Sequence, residues 1–319
     1  MENTKKIDIV FIGTAAFGVP LLAALAKDER FHIPLVVTRE DRPAGRCLKP
    51  APSPIKQAAE RLNLPLFQPK DVNAKDSIQT LAGPRHGAAL PMLIIVVAYG
   101  QILKKSVLEI PSIACVNVHG SLLPKYRGAS PIQSALLGGK SETGISVMRV
   151  EEGVDSGAVY ATFPIPIRDD ETSLTLHDTL AQLSAEKTPD ALEAIARGTL
   201  KSTPQNDKEA THCAKITKKE GKIDWNESAE TISLKIRAFA GWPETYTTWN
   251  EKILKILEAI PSTQKNAMGT VAAADDTVLV GTNHGSLQLK LVQLEGKRPQ
   301  SIQEFLNGHP DFIGAALGI

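Results

Sequence analysis

The chain has 319 residues, enough for two domains that each bury a core of their own. Its 36 basic and 35 acidic residues leave a net charge of +1, so no global field draws it to a polyanion and any nucleic-acid contact has to come from a local patch. Cys47, Cys115 and Cys213 lie far apart, without a CxxC pair or a histidine at ligand spacing, which argues against structural zinc and for a reducing compartment.

In chain order, Met1-Glu2-Asn3-Thr4-Lys5-Lys6 runs straight into an apolar pattern, so no targeting peptide is expected. No apolar run approaches the roughly 20 residues of a membrane span, and a cytoplasmic protein is expected. Ile7-Asp8-Ile9-Val10-Phe11-Ile12-Gly13 reads as a buried strand, and residues 19–26 carry helical spacing behind it. The connecting Gly13-Thr14-Ala15-Ala16-Phe17-Gly18 fits neither the GxGxxG fingerprint nor a phosphate loop ending in Gly-Lys-Ser/Thr, and reads as a tight turn. Short apolar runs follow at 34–37, 93–98, 114–118 and 144–150, with helix-like composition between them at 55–62 and 132–137. This alternation predicts an α/β fold, a doubly wound and mostly parallel sheet. Between Thr188 and Ala214 the strand pattern is lost, and Thr199-Leu200-Lys201-Ser202-Thr203-Pro204-Gln205-Asn206-Asp207 has the composition of a linker. The expected division is a catalytic domain at 1–190, a linker at 191–210 and a second domain at 211–319. Strand-like pieces at 245–249, 253–257, 270–272, 278–281 and 287–292 predict a small antiparallel barrel there.

Three residues stand out chemically. Alternation along a strand puts Asn117 and His119 on one face and Val116 and Val118 on the other, and Gly120-Ser121-Leu122-Leu123-Pro124 then ends the strand. The pair therefore sits at a strand's C-terminal edge, where open α/β sheets bind ligands. Asp155, in the glycine-flanked loop Gly153-Val154-Asp155-Ser156-Gly157, supplies a carboxylate that can reach a histidine at that edge. Acyl transfer to an amine needs a group to take the amine's proton and donors for the developing oxyanion, and Asn, His and Asp provide both. No serine or cysteine has the setting of a nucleophile, since there is no Gly-x-Ser-x-Gly and Cys115 lies inside an apolar strand pattern. Direct transfer is expected rather than a covalent acyl-enzyme.

The run Asn117-Val118-His119-Gly120-Ser121-Leu122-Leu123-Pro124-Lys125-Tyr126-Arg127-Gly128-Ala129-Ser130-Pro131-Ile132-Gln133 resembles the signature of folate-dependent formyltransferases. Val96-Val97-Ala98-Tyr99-Gly100-Gln101-Ile102-Leu103 is similar to the segment lining that family's folate pocket, and residues 153–157 to its loop with the catalytic aspartate. The resemblance implies Asn117, His119 and Asp155 as catalytic triad, without metal. It implies 10-formyltetrahydrofolate as co-substrate, held by Val97, Tyr99, Gly100, Ile102, Leu103, Ser121, Leu122, Leu123 and Pro124.

The segment from Thr38 to Pro54 resembles the loop that family members acting on tRNA insert to engage the acceptor stem, with Arg42, Arg46 and Lys49 as tRNA-binding residues and glycine and proline keeping it irregular. Residues 214–225 and 236–243 resemble the entry to the family's C-terminal oligonucleotide-fold barrel, which binds tRNA. The resemblance thus implies transfer of a formyl group to the amino group of initiator methionyl-tRNA for translation initiation, by a monomer. An amino-sugar nucleotide is the alternative acceptor.

Overall fold

The structure is a computed structural model that describes residues 6–44, 49–83 and 92–318. The chain folds as two compact units. The first comprises Met1–Gly128, Thr143–Ile165 and His177–His212, and the second Ala129–Glu142, Pro166–Leu176 and Cys213–Ile319. The last changeover between the units falls after residue 212. Two short stretches also belong to the second unit, which no composition shift marks.

In the first unit the elements run β1 (Ile7–Gly13), α1 (Val19–Lys27), β2 (Phe31–Val37), β3 (Arg42–Ala44), β4 (Lys49–Ala51), α2 (Pro54–Arg61), β5 (Leu66–Phe67), α3 (Lys75–Ala82), β6 (Met92–Val97), α4 (Lys105–Leu108), β7 (Ala114–His119) and β8 (Arg127–Gly128). After α5 (Pro131–Leu137), which belongs to the second unit, come β9 (Glu142–Arg149), β10 (Val159–Pro166), α6 (Ser173–Ala196) and β11 (His212–Cys213). The main sheet has the order β10-β9-β7-β6-β1-β2-β5, parallel from β7 to β5, with β9 antiparallel to β7.

All seven residues of β1 are buried, as a central parallel strand covered on both faces requires. Its one ionisable side chain, Asp8, is satisfied by His32 Nδ1 at 2.8 Å on the neighbouring strand. The chain leaves β1 toward β2 and β5, then returns to β6 on the other side, so the order reverses between β1 and β6. The crevice at the C-terminal ends of these strands is where such a sheet takes its ligands.

Two expectations are corrected here. The segment 38–54 is not wholly irregular: β3 and β4 pair antiparallel, with Arg42 opposite Ala51 and Pro43 opposite Pro50. The root of this hairpin is tied by Thr38 Oγ1 to Ser53 Oγ at 2.7 Å, and by Lys56 and Gln68 donating to Asp41 at 2.8 and 2.9 Å. The stretch 191–210 is not a free linker either: α6 runs to Ala196, and Thr203 exchanges both backbone hydrogen bonds with Val159, at 2.8 and 2.9 Å.

The second unit continues with α7 (Ala229–Ala238), β12 (Thr245–Trp249), β13 (Lys252–Ser262), β14 (Val271–Ala274), β15 (Thr277–Gly281), β16 (Ser286–Leu294), β17 (Gln300–Ser301) and α8 (Ile302–Gly308). Its antiparallel sheet has the order β12-β13-β16-β15-β14, with β17 on β16. Alternation sends Leu254 and Ile256 of β13 and Leu287 and Leu289 of β16 inward, and past the register shift between these strands Val292 joins them, against Trp225, Trp249, Phe305 and Phe312. Among the described residues, no helix is long and apolar enough to cross a membrane.

Candidate active site

Strand β7 ends the parallel part of the sheet, and its alternation brings Asn117 and His119 out on one face at the C-terminal edge. Val118 is buried on the other face. Asp155 comes from the turn between β9 and β10 and closes on this pair. Its Oδ1 lies 3.4 Å from Asn117 Nδ2, and its Oδ2 lies 3.5 Å from His119 Nδ1 while accepting the Gly128 N–H at 2.9 Å. The structure therefore brings together the three residues singled out in sequence as catalytic.

The histidine's orientation follows from its neighbours. His119 Nε2 lies 3.0 Å from the Tyr126 carbonyl oxygen, which can only accept, so Nε2 carries a hydrogen and donates it. Nδ1 is then the nitrogen that faces the carboxylate. The Ser121 to Lys125 turn that brings Tyr126 back is closed by Ser121 Oγ donating to Lys125 O at 2.6 Å and by Ser146 Oγ donating to Ser121 O at 2.7 Å.

The folate candidates fall into two groups. Val97, Tyr99, Leu103, Ser121 and Leu123 are all buried, so their side chains have little open surface to offer a ligand. Tyr99 Oη is buried without a hydrogen-bond partner among the described residues, and burial, reinforced by the charge of Asp71, pushes its phenol up to about 12. Ile102 is 77% exposed, Gly100 is exposed in the left-handed region at φ 80°, and Leu122 and Pro124 are half-buried. A cleft of about 760 Å³ opens beside the Asp155 turn, bounded by Leu108, Cys115, Arg149, Glu152, Gly153 and Ser156. Sequence reasoning did not point to it, because its walls come from α4, the start of β7 and the end of β9 without a shared motif. Cys115 lines it, but burial pushes its thiol up to about 12, so at neutral pH the sulfur is protonated and not a nucleophile.

Of the tRNA candidates, Arg42 is exposed on β3, Lys49 is on β4, and Arg46 lies outside the described residues. Sequence reasoning also missed the residues behind Asp155. Gln205 Nε2 donates to the Asp155 and Gly157 carbonyls, both at 2.8 Å, and Gln205 Oε1 accepts from Arg127 Nε at 2.9 Å. Arg127 was visible inside the signature run, whereas nothing in the polar stretch 199–207 distinguished Gln205.

Residues 5–192 match the model of the formyl transferase family, and residues 215–310 match that of the formyl transferase C-terminal domain. The chain is 44% identical to methionyl-tRNA formyltransferase of Methylacidiphilum infernorum (isolate V4), over 97% of this chain and 98% of that one. It is 39% identical to methionyl-tRNA formyltransferase of Legionella pneumophila (strain Paris), over 95% and 96%. Among solved structures, WlaRD, a sugar 3N-formyl transferase with dTDP and 5-N-formyl-THF, superposes with a TM-score of 0.66 over 92% of this chain and 99% of that one, at 18% identity, a likeness of fold.

Proposed function

Because the chain belongs to the formyl transferase family, we propose that it moves the formyl group of 10-formyltetrahydrofolate to the amino group of initiator methionyl-tRNA, for translation initiation. The observation that carries the chemistry is the convergence of Asn117, His119 and Asp155 at the C-terminal edge of β7. The acceptor rests on the near-full-length identity to methionyl-tRNA formyltransferases.

The amine nitrogen attacks the formyl carbon. The carbonyl oxygen gains charge, the bond from carbon to folate nitrogen breaks, and that nitrogen leaves with a proton in place of the formyl group. Asn117 has two amide hydrogens and gives one to Asp155, so the other is free to meet the developing oxyanion. His119 Nε2 is held by the Tyr126 carbonyl, so proton exchange with the amine, directly or through water, runs on the Nδ1 side, where the Asp155 carboxylate stabilises the ring once Nδ1 has taken the proton. For His119 Nε2 to donate to the formyl oxygen as well, its ring has to leave that carbonyl. Val97, Tyr99, Gly100, Ile102, Leu103 and Ser121 to Pro124 are the proposed contacts to the donor; the 760 Å³ cleft is bounded by other residues, at the start of β7 rather than at its C-terminal edge. Arg42, Arg46 and Lys49 are the proposed tRNA contacts. The enzyme is proposed to work as a cytoplasmic monomer, the oligomeric part being decided by sedimentation.

The test is turnover with methionyl-tRNA, an amino-sugar nucleotide and water as competing acceptors, in the wild type and in Asn117→Ala, His119→Ala and Asp155→Asn. Formylation of methionyl-tRNA alone is expected. Loss of one oxyanion donor should cost roughly 2.7–4 kcal/mol of transition-state stabilisation. Wild-type turnover in Asn117→Ala or His119→Ala removes the assignment, and preference for the sugar nucleotide replaces the acceptor.

A further inference from the structure

We infer that Gln205 is a positioning residue of the reaction, acting through the catalytic carboxylate of Asp155, and that Arg127 fixes the orientation in which it does so. This deepens the proposed role of Asp155 and rests on it.

Asp155 has φ 48°, a left-handed backbone that a non-glycine residue holds only where its surroundings impose it. The Gln205 amide is what imposes it. One nitrogen, Nε2, donates to both the Asp155 and the Gly157 carbonyls at 2.8 Å, clamping the two ends of the three-residue turn. The carbonyl end of the same amide accepts from Arg127 Nε at 2.9 Å. A guanidinium only donates and a peptide carbonyl only accepts, so the amide has a single workable orientation and a flip would break all three bonds.

Arg127 is itself 6% exposed, with its Nη2 on Asp207 Oδ1 at 2.8 Å, and it is the immediate neighbour of the Gly128 N–H that holds Asp155 Oδ2. Its own N–H donates to Thr211 O at 2.9 Å, and Tyr126 N–H to Thr211 Oγ1 at 2.8 Å. Residues 203–211 thus form a strap, stitched to Val159 at one end and to Tyr126 and Arg127 at the other. It connects the backbone behind Asp155 to the backbone that holds His119. Gln205 touches no reacting atom; it sets where the carboxylate of Asp155 stands between Asn117 and His119. A misplacement of about 1 Å at such a group costs on the order of a hundredfold in rate.

The experiment uses the full chain with Gln205→Met, which keeps the length of the side chain and removes its hydrogen bonds, and Gln205→Glu, which keeps the bond from Arg127 but points an oxygen at the two carbonyls. Steady-state kinetics should show kcat reduced roughly tenfold to a hundredfold, with KM for donor and tRNA both nearly unchanged, and Gln205→Glu the slower of the two. Single-turnover rates are then compared in the Asp155→Asn background. If Gln205 acts through Asp155, adding Gln205→Met there costs almost nothing further, whereas general damage to the fold multiplies. Wild-type kcat in Gln205→Met, a rise in both KM values that accounts for the loss, or multiplying losses in the double variant overturns the inference. Should Gln205→Met fail to fold, Gln205→Asn, too short to reach both carbonyls, decides between the same outcomes. Full activity of Asp155→Asn would instead strike at the proposed function, whatever Gln205 does.

Discussion

Around Asp155 the decisive dimension is the space behind the backbone. A Cβ added at Gly157 would stand 2.0 Å from the Arg149 carbonyl oxygen, an atom of the β9 backbone, whereas one at Gly153 would stand 2.1 Å from Ser156 Oγ. The serine hydroxyl ends a short side chain that can turn to another rotamer. The Arg149 carbonyl cannot move without disturbing a strand, and the Arg149 N–H is already bonded to Ala158 O at 2.8 Å. Gly157→Ala should therefore push the turn off the Gln205 amide, costing about 1–3 kcal/mol of stability, as overpacking does, together with most of kcat. Gly153→Ala should keep kcat within a few-fold of the wild type. Paired thermal melts and initial rates check this, and equal behaviour of the two variants would mean that the turn is not held from behind.

At the scale of elements, what the sequence reveals is whatever one strand or helix decides for itself. The strands β1, β6 and β7 were legible because central parallel strands buried on both faces are continuous apolar runs, and Asn117 and His119 stood out as polar breaks in one of them. The hairpin of β3 and β4 was not legible, since Pro43 and Pro50 read as loop residues and are tolerated only because they face each other on a two-stranded ribbon with open edges. The helix α6 was hidden by Pro189 in its interior, and Gln205 by a partner, Arg127, that lies 78 residues earlier in the chain. The apolar runs also enclose two acids, Tyr99 and Cys115, in one core cluster, and burial pushes both up to about 12. In the unfolded chain they ionise near their ordinary values, roughly 10 and 8.5. Above those values the unfolded chain has released protons that the folded chain still holds, so the stability these groups contribute, complete below about pH 8.5, is lost as pH rises toward 12. Urea midpoints from pH 8 to 11 should fall, and more gently in Cys115→Ala and Tyr99→Phe. Tyr99→Phe should cost little at neutral pH, because the hydroxyl it removes is buried without a partner among the described residues. Parallel slopes for all three proteins would mean that neither group stays protonated in the fold.

For the molecule as a whole, a net charge of +1 means that affinity for an RNA substrate has to be local, and Arg42, Arg46 and Lys49 are the contacts proposed for it. Arg42 is exposed on β3, and the root of the β3–β4 pair is fixed to α2 and to Gln68, just past β5, through Asp41, whose carboxyl is held below the usual carboxylate range by the hydrogen bonds from Lys56 and Gln68. A cation on a rooted hairpin can meet a phosphate without a large ordering cost. Arg42 lies outside the segments assigned to the donor, so Arg42→Ala should lower kcat/KM for methionyl-tRNA and leave KM for 10-formyltetrahydrofolate unchanged. If the contact is to phosphate, the slope of log kcat/KM against log salt should become shallower by about 1, and wild type and variant should converge at high salt. If Arg42 reads a base edge, the loss should persist at high salt, and roughly 1–3 kcal/mol of the preference for initiator over elongator methionyl-tRNA should vanish with it. The measurement is kcat/KM for both tRNAs at low and high salt beside KM for the donor. Equal losses for tRNA and donor would instead point to damage spread through the hairpin root at Asp41, and no loss for either would return Arg42 to an ordinary solvated surface.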